Sequence, residues 1–151
     1  MRCVLLFLVL STFVICGDVH IQKVVEDLTG WSEADVKIMD KTAEEFTDQK
    51  TKQLDKAKYD ERLKNQHKAI WEKTLKFRET LKKVSNENKA ALGFIDSVLS
   101  YAVMTRYGHM KEDEASKRVV QDFGKLADNV KVYLVGTFPA LKQFMPVAKK
   151  I

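Results

Sequence analysis

An all-α, single-domain globule is what this sequence predicts, on three observations. Proline is missing from Met1 to Phe138, leaving only Pro139 and Pro146. Apolar residues recur at three- and four-residue spacing along most of the chain, and no stretch alternates apolar with polar residues in the manner of a half-buried strand. Glycine punctuates the chain at Gly30, Gly93, Gly108, Gly124 and Gly136, close to where the periodic segments stop.

The start of the chain has a different character. Met1-Arg2 is a short basic beginning, and Cys3 to Ile15 carries no charge and only Ser11 and Thr12 as polar interruptions. This pattern predicts a secretory signal over residues 1–16, cut after Cys16 or after Gly17, and hence a secreted, extracellular product. The uncharged run falls short of the ~20 residues that a membrane span requires, so no anchor is expected. A lipoprotein reading of Cys16 is disfavoured by Ile15, which stands where that signal wants a small residue. Both cysteines, Cys3 and Cys16, lie in or at the edge of this segment. The remaining domain, 17–151, must therefore be held by its core rather than by disulfides, and it is long enough to build one.

Along that domain, His20 to Leu28 places Val24, Val25 and Leu28 on one side and stops at Gly30, a suitable C′ residue. Ser32 then opens a second helix as the first half of a capping box with Asp35, while Trp31 stands where a hydrophobic staple to Val36 belongs. This helix runs to about Phe46 and buries Val36, Met39, Ala43 and Phe46. A polar stretch near Thr47 to Thr51 separates it from Leu54 and Ala57. A long basic helix is expected from about Asp60 to Val84. Leu63, Ile70, Phe77 and Val84 repeat every seven residues along it, and His67, Trp71, Thr74, Leu75 and Leu81 widen the apolar arc. Lys64, Lys68, Lys76, Arg78 and Lys82 mark its outer face. Ser85 is expected to cap the next helix, which ends at Tyr107 before Gly108. From Ala90 to Met104 the only charged residue there is Asp96. A helix so apolar belongs in the middle of the fold, with Gly93, Ser97 and Ser100 permitting close approach. Glu112 to Leu126 follows with Ala115, Val119, Val120, Phe123 and Leu126 inward. Asp128 is expected to cap a further helix to Thr137, and Phe138-Pro139 turns into a short closing helix with Leu141 and Phe144. That makes about seven segments joined by short connections.

Charge is unevenly spread although the net value is only +5. Glu26 to Asp48 holds eight acids against two lysines, while Asp48 to Val84 holds twelve Lys/Arg against six acids. Such neighbours attract across solvated helix faces; an anionic head group or membrane surface is the alternative partner. Metalloprotease, nucleophile-elbow, phosphate-loop and EF-hand motifs are all missing, so neither an enzyme nor a metal or cofactor site is expected. His20, His67 and His109 lie on separate segments, and only His67 joins an apolar arc, where a packed side chain is its simplest role. No N-glycosylation acceptor follows Gly17. Nucleic acid is not an expected partner, because no helix interleaves stacking aromatics with its positive stripe.

Two stretches carry a resemblance: Trp31-Ser32-Glu33-Ala34-Asp35 near the start, and Leu126-Ala127-Asp128, Leu134 and Thr137-Phe138-Pro139-Ala140-Leu141 near the end. Their order and distance resemble the nematode fatty-acid- and retinol-binding proteins. There a Leu-Thr-x-x-Asp-type cap opens the helical body and a Leu-Ser-Asp…Leu…Asn-Phe-Pro-x-Leu segment ends it. The pattern continues between them through the basic helix, the Ser85-Asn86-Glu87 cap, the apolar helix and the acidic start Glu112-Asp113-Glu114. Gly136, Trp31 and Trp71 depart from it in ways that bear on pocket shape. Ser32 resembles a phosphorylation position of that family as well as a cap.

The resemblance implies a secreted carrier of fatty acids and retinol, with about seven amphipathic helices enclosing an apolar pocket and transient contact with membrane surfaces. Within that reading, the walls are expected at positions whose apolar face is wider than core packing requires: Phe46, Ile70, Phe77, Leu81, Leu92, Ile95, Val98, Leu99, Val119, Phe123, Leu134 and Phe138. Arg106 is the first candidate to meet a carboxylate and Lys131 the second. Without the resemblance the same apolar positions read as plain core. A second class stays open, in which the helices spread their apolar faces on a membrane or a protein partner.

Overall fold

The computed structural model describes residues 19–145. The expected signal segment, its two cleavage positions and Pro146 lie outside them. Among the described residues there are seven α-helices and a closing 3-10 helix, and apart from one isolated bridge between Thr47 and Leu54 no strand pairing. No helix among them is long and apolar enough to cross a membrane.

Helix α1 (Ile21–Thr29) buries Ile21, Val24, Val25 and Leu28 and ends where Gly30 takes the left-handed φ of 77°. There the Gly30 N–H reaches the Glu26 carbonyl at 2.7 Å, a closure only glycine makes without strain. Helix α2 (Glu33–Glu45) opens with the expected capping box. The Asp35 N–H donates to Ser32 Oγ at 3.2 Å and the Ser32 N–H to Asp35 Oδ2 at 2.9 Å.

The long basic helix is two helices. Helix α3 (Lys56–Gln66) and helix α4 (Lys68–Glu87) meet at His67, whose φ of −134° and ψ of 58° are not helical. They fold back on each other: Arg78 Nη2 lies 3.0 Å from Asp60 Oδ1. On one straight helix those residues would stand ~27 Å apart. No proline or glycine announces the break. Asn65 and His67 are poor helix formers, and turning there brings Tyr59 and Leu63 against Ile70 in one buried cluster. The seven-residue spacing from Leu63 to Ile70 therefore crosses a turn instead of running along a face.

Two expected caps also move. Ser85 stays inside α4, since Val84 is fully buried and the helix continues for most of another turn. Asn88 caps α5 (Lys89–Arg106) instead, accepting the Ala91 N–H at 3.0 Å. After α6 (Glu112–Lys125), α7 (Asp128–Thr137) begins behind Ala127, and Asp128 is its first residue rather than its cap. Its carboxylate lies in the first turn, where it complements the helix dipole. The 3-10 helix Pro139–Phe144 is the last element among the described residues, with Leu141 fully buried.

Helix α5 is the centre, packed against α1, α4, α6 and α7. Ala91, Phe94, Ile95, Val98 and Ala102 form its buried stripe. Phe94 and Phe123 meet edge to face at 5.6 Å in the main core. The opposite side of α5 is less covered than its composition suggests, for Val103 and Met104 are exposed. Helix α2 leans on α3 rather than on α5. Two of its acids pair with the basic stretch as the charge layout predicts, Asp35 with Lys73 at 2.6 Å and Glu45 with Arg62 at 2.8 Å, while Asp40 pairs with Arg106 of α5, outside that stretch, at 2.9 Å.

Candidate ligand pocket

Because α2 rests on α3 while α5 belongs to the main core, a wedge is left between α2 and α5. It forms a pocket of about 340 Å³, open on one side. Val25 and Ala102 come from the main core. Val36, Met39, Asp40 and Ala43 come from α2, Tyr59 from α3, and Leu99, Val103 and Arg106 from α5; Trp31 and Leu54 complete the wall from the loops. The pocket thus lies at the seam between the two buried clusters.

Local structure explains each wall. The capping box fixes where α2 starts, and so sets Val36, Met39, Asp40 and Ala43 in one stripe at helical spacing. Burial alone would raise the Asp35 carboxyl, but the Lys73 ammonium and the Ser32 N–H and hydroxyl hold it below the ordinary range. The α2–α3 connection is ordered. Asp48 Oδ1 accepts the N–H groups of Thr51 at 2.7 Å and Lys50 at 2.8 Å, and these bonds lower its pKa. The Asp55 N–H then donates to the Phe46 carbonyl at 2.9 Å, which holds Leu54 at the rim. Trp31 packs edge-on against Phe77 with ring centres 5.4 Å apart.

The polar side of the pocket is small. Arg106 Nη1 donates to both carboxylate oxygens of Asp40, at 2.9 and 3.0 Å, across 66 residues of sequence. Burial pushes the Tyr59 phenol above its usual value, with Asp60 and Asp40 adding to the shift, so it stays protonated at neutral pH. The Trp31 indole nitrogen is shielded from solvent and has no hydrogen-bond acceptor among the described residues. No cluster of three metal-binding side chains occurs among those residues.

Of the residues expected from sequence, Leu99 and Arg106 line this pocket. Phe77, Ile95, Val98, Val119, Phe123, Leu134 and Phe138 are buried in the main core, with Leu81 and Leu92 half-buried against it. Ile70 is in the second cluster, and Phe46 packs beside it beneath the Arg62 guanidinium, 5.0 Å from the ring centre. Lys131 sits on α7 with its ammonium 3.5 Å from Asp128. The walls on α2 were missed, although a signal was present: Asp40 falls between Val36, Met39 and Ala43 on the apolar stripe, an acid where packing alone wants none.

No match was found to any protein-family model, characterised protein or solved structure. The pocket therefore has to be read from its own residues.

Beside it runs a shallower groove over the outer face of α5, lined by Asp96, Leu99, Ser100, Val103 and Met104. Leu99 and Val103 are common to both, so the groove adjoins the pocket.

Proposed function

We propose that this chain is a lipid carrier that shelters the hydrocarbon tail of a fatty acid or retinoid in the wedge between α2 and α5. The observation that carries this reading is the pocket itself, whose apolar walls end in a single ion pair at Asp40 and Arg106. Its volume lies at the small end of the ~300–1,000 Å³ usual for ligand sites. A lipid seated there extends its tail along the adjoining groove. Each buried methylene contributes ~0.8 kcal/mol, so a fully buried sixteen-carbon tail would have ~12 kcal/mol of gross driving force against an association cost of ~4–15, and the part lying in the groove contributes less. The reading agrees with the resemblance to nematode fatty-acid- and retinol-binding proteins. It carries with it a secreted location, which rests on the uncharged run from Cys3 to Ile15. The carrier acts by enclosure and release, without catalysis.

Titration with retinol tests this. Saturable uptake of about one retinol per chain, with an emission shift and displacement by oleate, is expected. Ala43→Phe, which adds a ring to the pocket wall, should weaken uptake at least tenfold while the protein stays folded by circular dichroism. Uptake that is not saturable, or that Ala43→Phe leaves intact, removes the wedge as the site.

The second reading, an apolar surface laid on membranes, is favoured by one observation: Val103, Met104 and Tyr107 are exposed on the same end of α5. Binding to phospholipid vesicles without saturable uptake of free lipid would select it.

A further inference from the structure

The head-group end of the pocket holds one cation and one anion, already joined. Arg106 spends Nη1 on both oxygens of Asp40 at 2.9 and 3.0 Å, and the side chains are 28% and 36% exposed. The pair is thus partly withdrawn from water, where charge is screened less than on an open surface. An ionised carboxylate entering here meets a guanidinium that is already neutralised and a second carboxylate beside it. It must displace Asp40 or share its cation, and sharing sets two like charges side by side. An uncharged oxygen faces neither obstacle. Asp40 retains lone pairs that accept from a hydroxyl.

We propose that Asp40 makes this pocket selective for long-chain alcohols over ionised fatty acids of the same length, its carboxylate accepting a hydrogen bond from the alcohol's hydroxyl. The selectivity rests on the carrier reading and sharpens it, because the tail provides affinity in both cases and the head alone decides. Arg106, which by charge alone invites a carboxylate, is held in check by an acid that the fold brings to it from the other helix.

The test compares oleyl alcohol with oleate, which share one tail, by displacement of the neutral dye Nile red in mildly alkaline buffer where oleate is ionised. The wild-type chain should take the alcohol at least tenfold more tightly. Asp40→Asn keeps an acceptor for Arg106 but removes the competing charge, and should tighten oleate about tenfold, equivalent to ~1.4 kcal/mol, while oleyl alcohol changes by less than about threefold. Arg106→Gln should act in the opposite sense, weakening oleate further and sparing the alcohol. Equal wild-type affinities, or an alcohol-to-oleate ratio that Asp40→Asn does not move, overturn the selectivity while leaving the carrier reading in place. Failure of the wild-type chain to bind dye, alcohol and oleate alike overturns both.

Discussion

The two buried clusters of this molecule are built from similar side chains and differ in how completely they close. On the buried side of α5, residues from α1, α4, α6 and α7 meet, with the 3-10 helix packed on α1, α6 and α7, and Ile95, Val98, Val119 and Leu134 are fully buried. In the second cluster only Tyr59, Leu63 and Ile70 are buried, while Ile38, Met39, Ala43, Phe46 and Trp71 stay half open. Arginines cover its edges, Arg62 over Phe46 and Arg78 over Trp71. The pocket lies where the second cluster fails to seal against the first. Stability resides in the closed core, and room for a ligand is left where one helix, α2, is supported from one side only.

Substitutions sharpen this contrast. Phe123→Ala removes a ring that is 1% exposed and packs on both Phe94 and Phe144, and should cost about 3–5 kcal/mol by denaturant unfolding. Leu63→Ala, equally buried but in the smaller cluster whose other members are half open, should cost less, about 2–3 kcal/mol, because α2 and α3 can settle inward. If Leu63→Ala costs as much as Phe123→Ala, the second cluster is no softer than the first. Ser32→Ala breaks the capping box and should lose about 1 kcal/mol, with faster amide exchange confined to α2. Uniform exchange changes across α5 would instead mean that α2 is locked to the main core.

The smallest effect separates the clusters by pH. Asp35 and Asp60 are held below the ordinary carboxylate value, burial being outweighed by Lys73 and Ser32 for the first and by Arg78 and Lys56 for the second. A lowered folded-state pKa means that the unfolded chain binds protons first. The stability these groups contribute is therefore complete above the unfolded value of about 3.9 and is lost as pH falls through the lower folded values. Acid titration should release α2 and α3 before the main core, seen as a change in Trp31 and Trp71 emission ahead of the loss of helical circular dichroism. Simultaneous loss of both signals would show the two regions unfolding as one.

Much of the helical plan was legible in the residues, because caps and periodicity are local. Ser32 with Asp35, Gly30 and the apolar length of α5 read correctly, since each depends on chemistry within one or two turns. The turn at His67 was not legible, because the sevenfold repeat across it satisfies a helix as well as it satisfies two helices facing each other. The cap assigned to Ser85 belongs to Asn88, in a run where several positions carry capping side chains, and Asp128 is the first residue of a helix whose cap position, Ala127, makes no side-chain bond.

The site divides in the same way. Local spacing decides which faces are apolar, and on that basis alone it selected the widest arcs, most of which are core. Which two faces fail to touch is a property of helix placement, and nothing within one helix encodes it. That Asp40 reaches Arg106 across 66 residues depends on α2 leaning toward α3, a balance of packing between elements far apart in the chain. Amino-acid order thus set the class of fold and the helix-start signal at Ser32, through hydrogen bonds between near neighbours. The wedge and its ion pair came from long-range packing, where small differences in how side chains fill space decide which surface stays open.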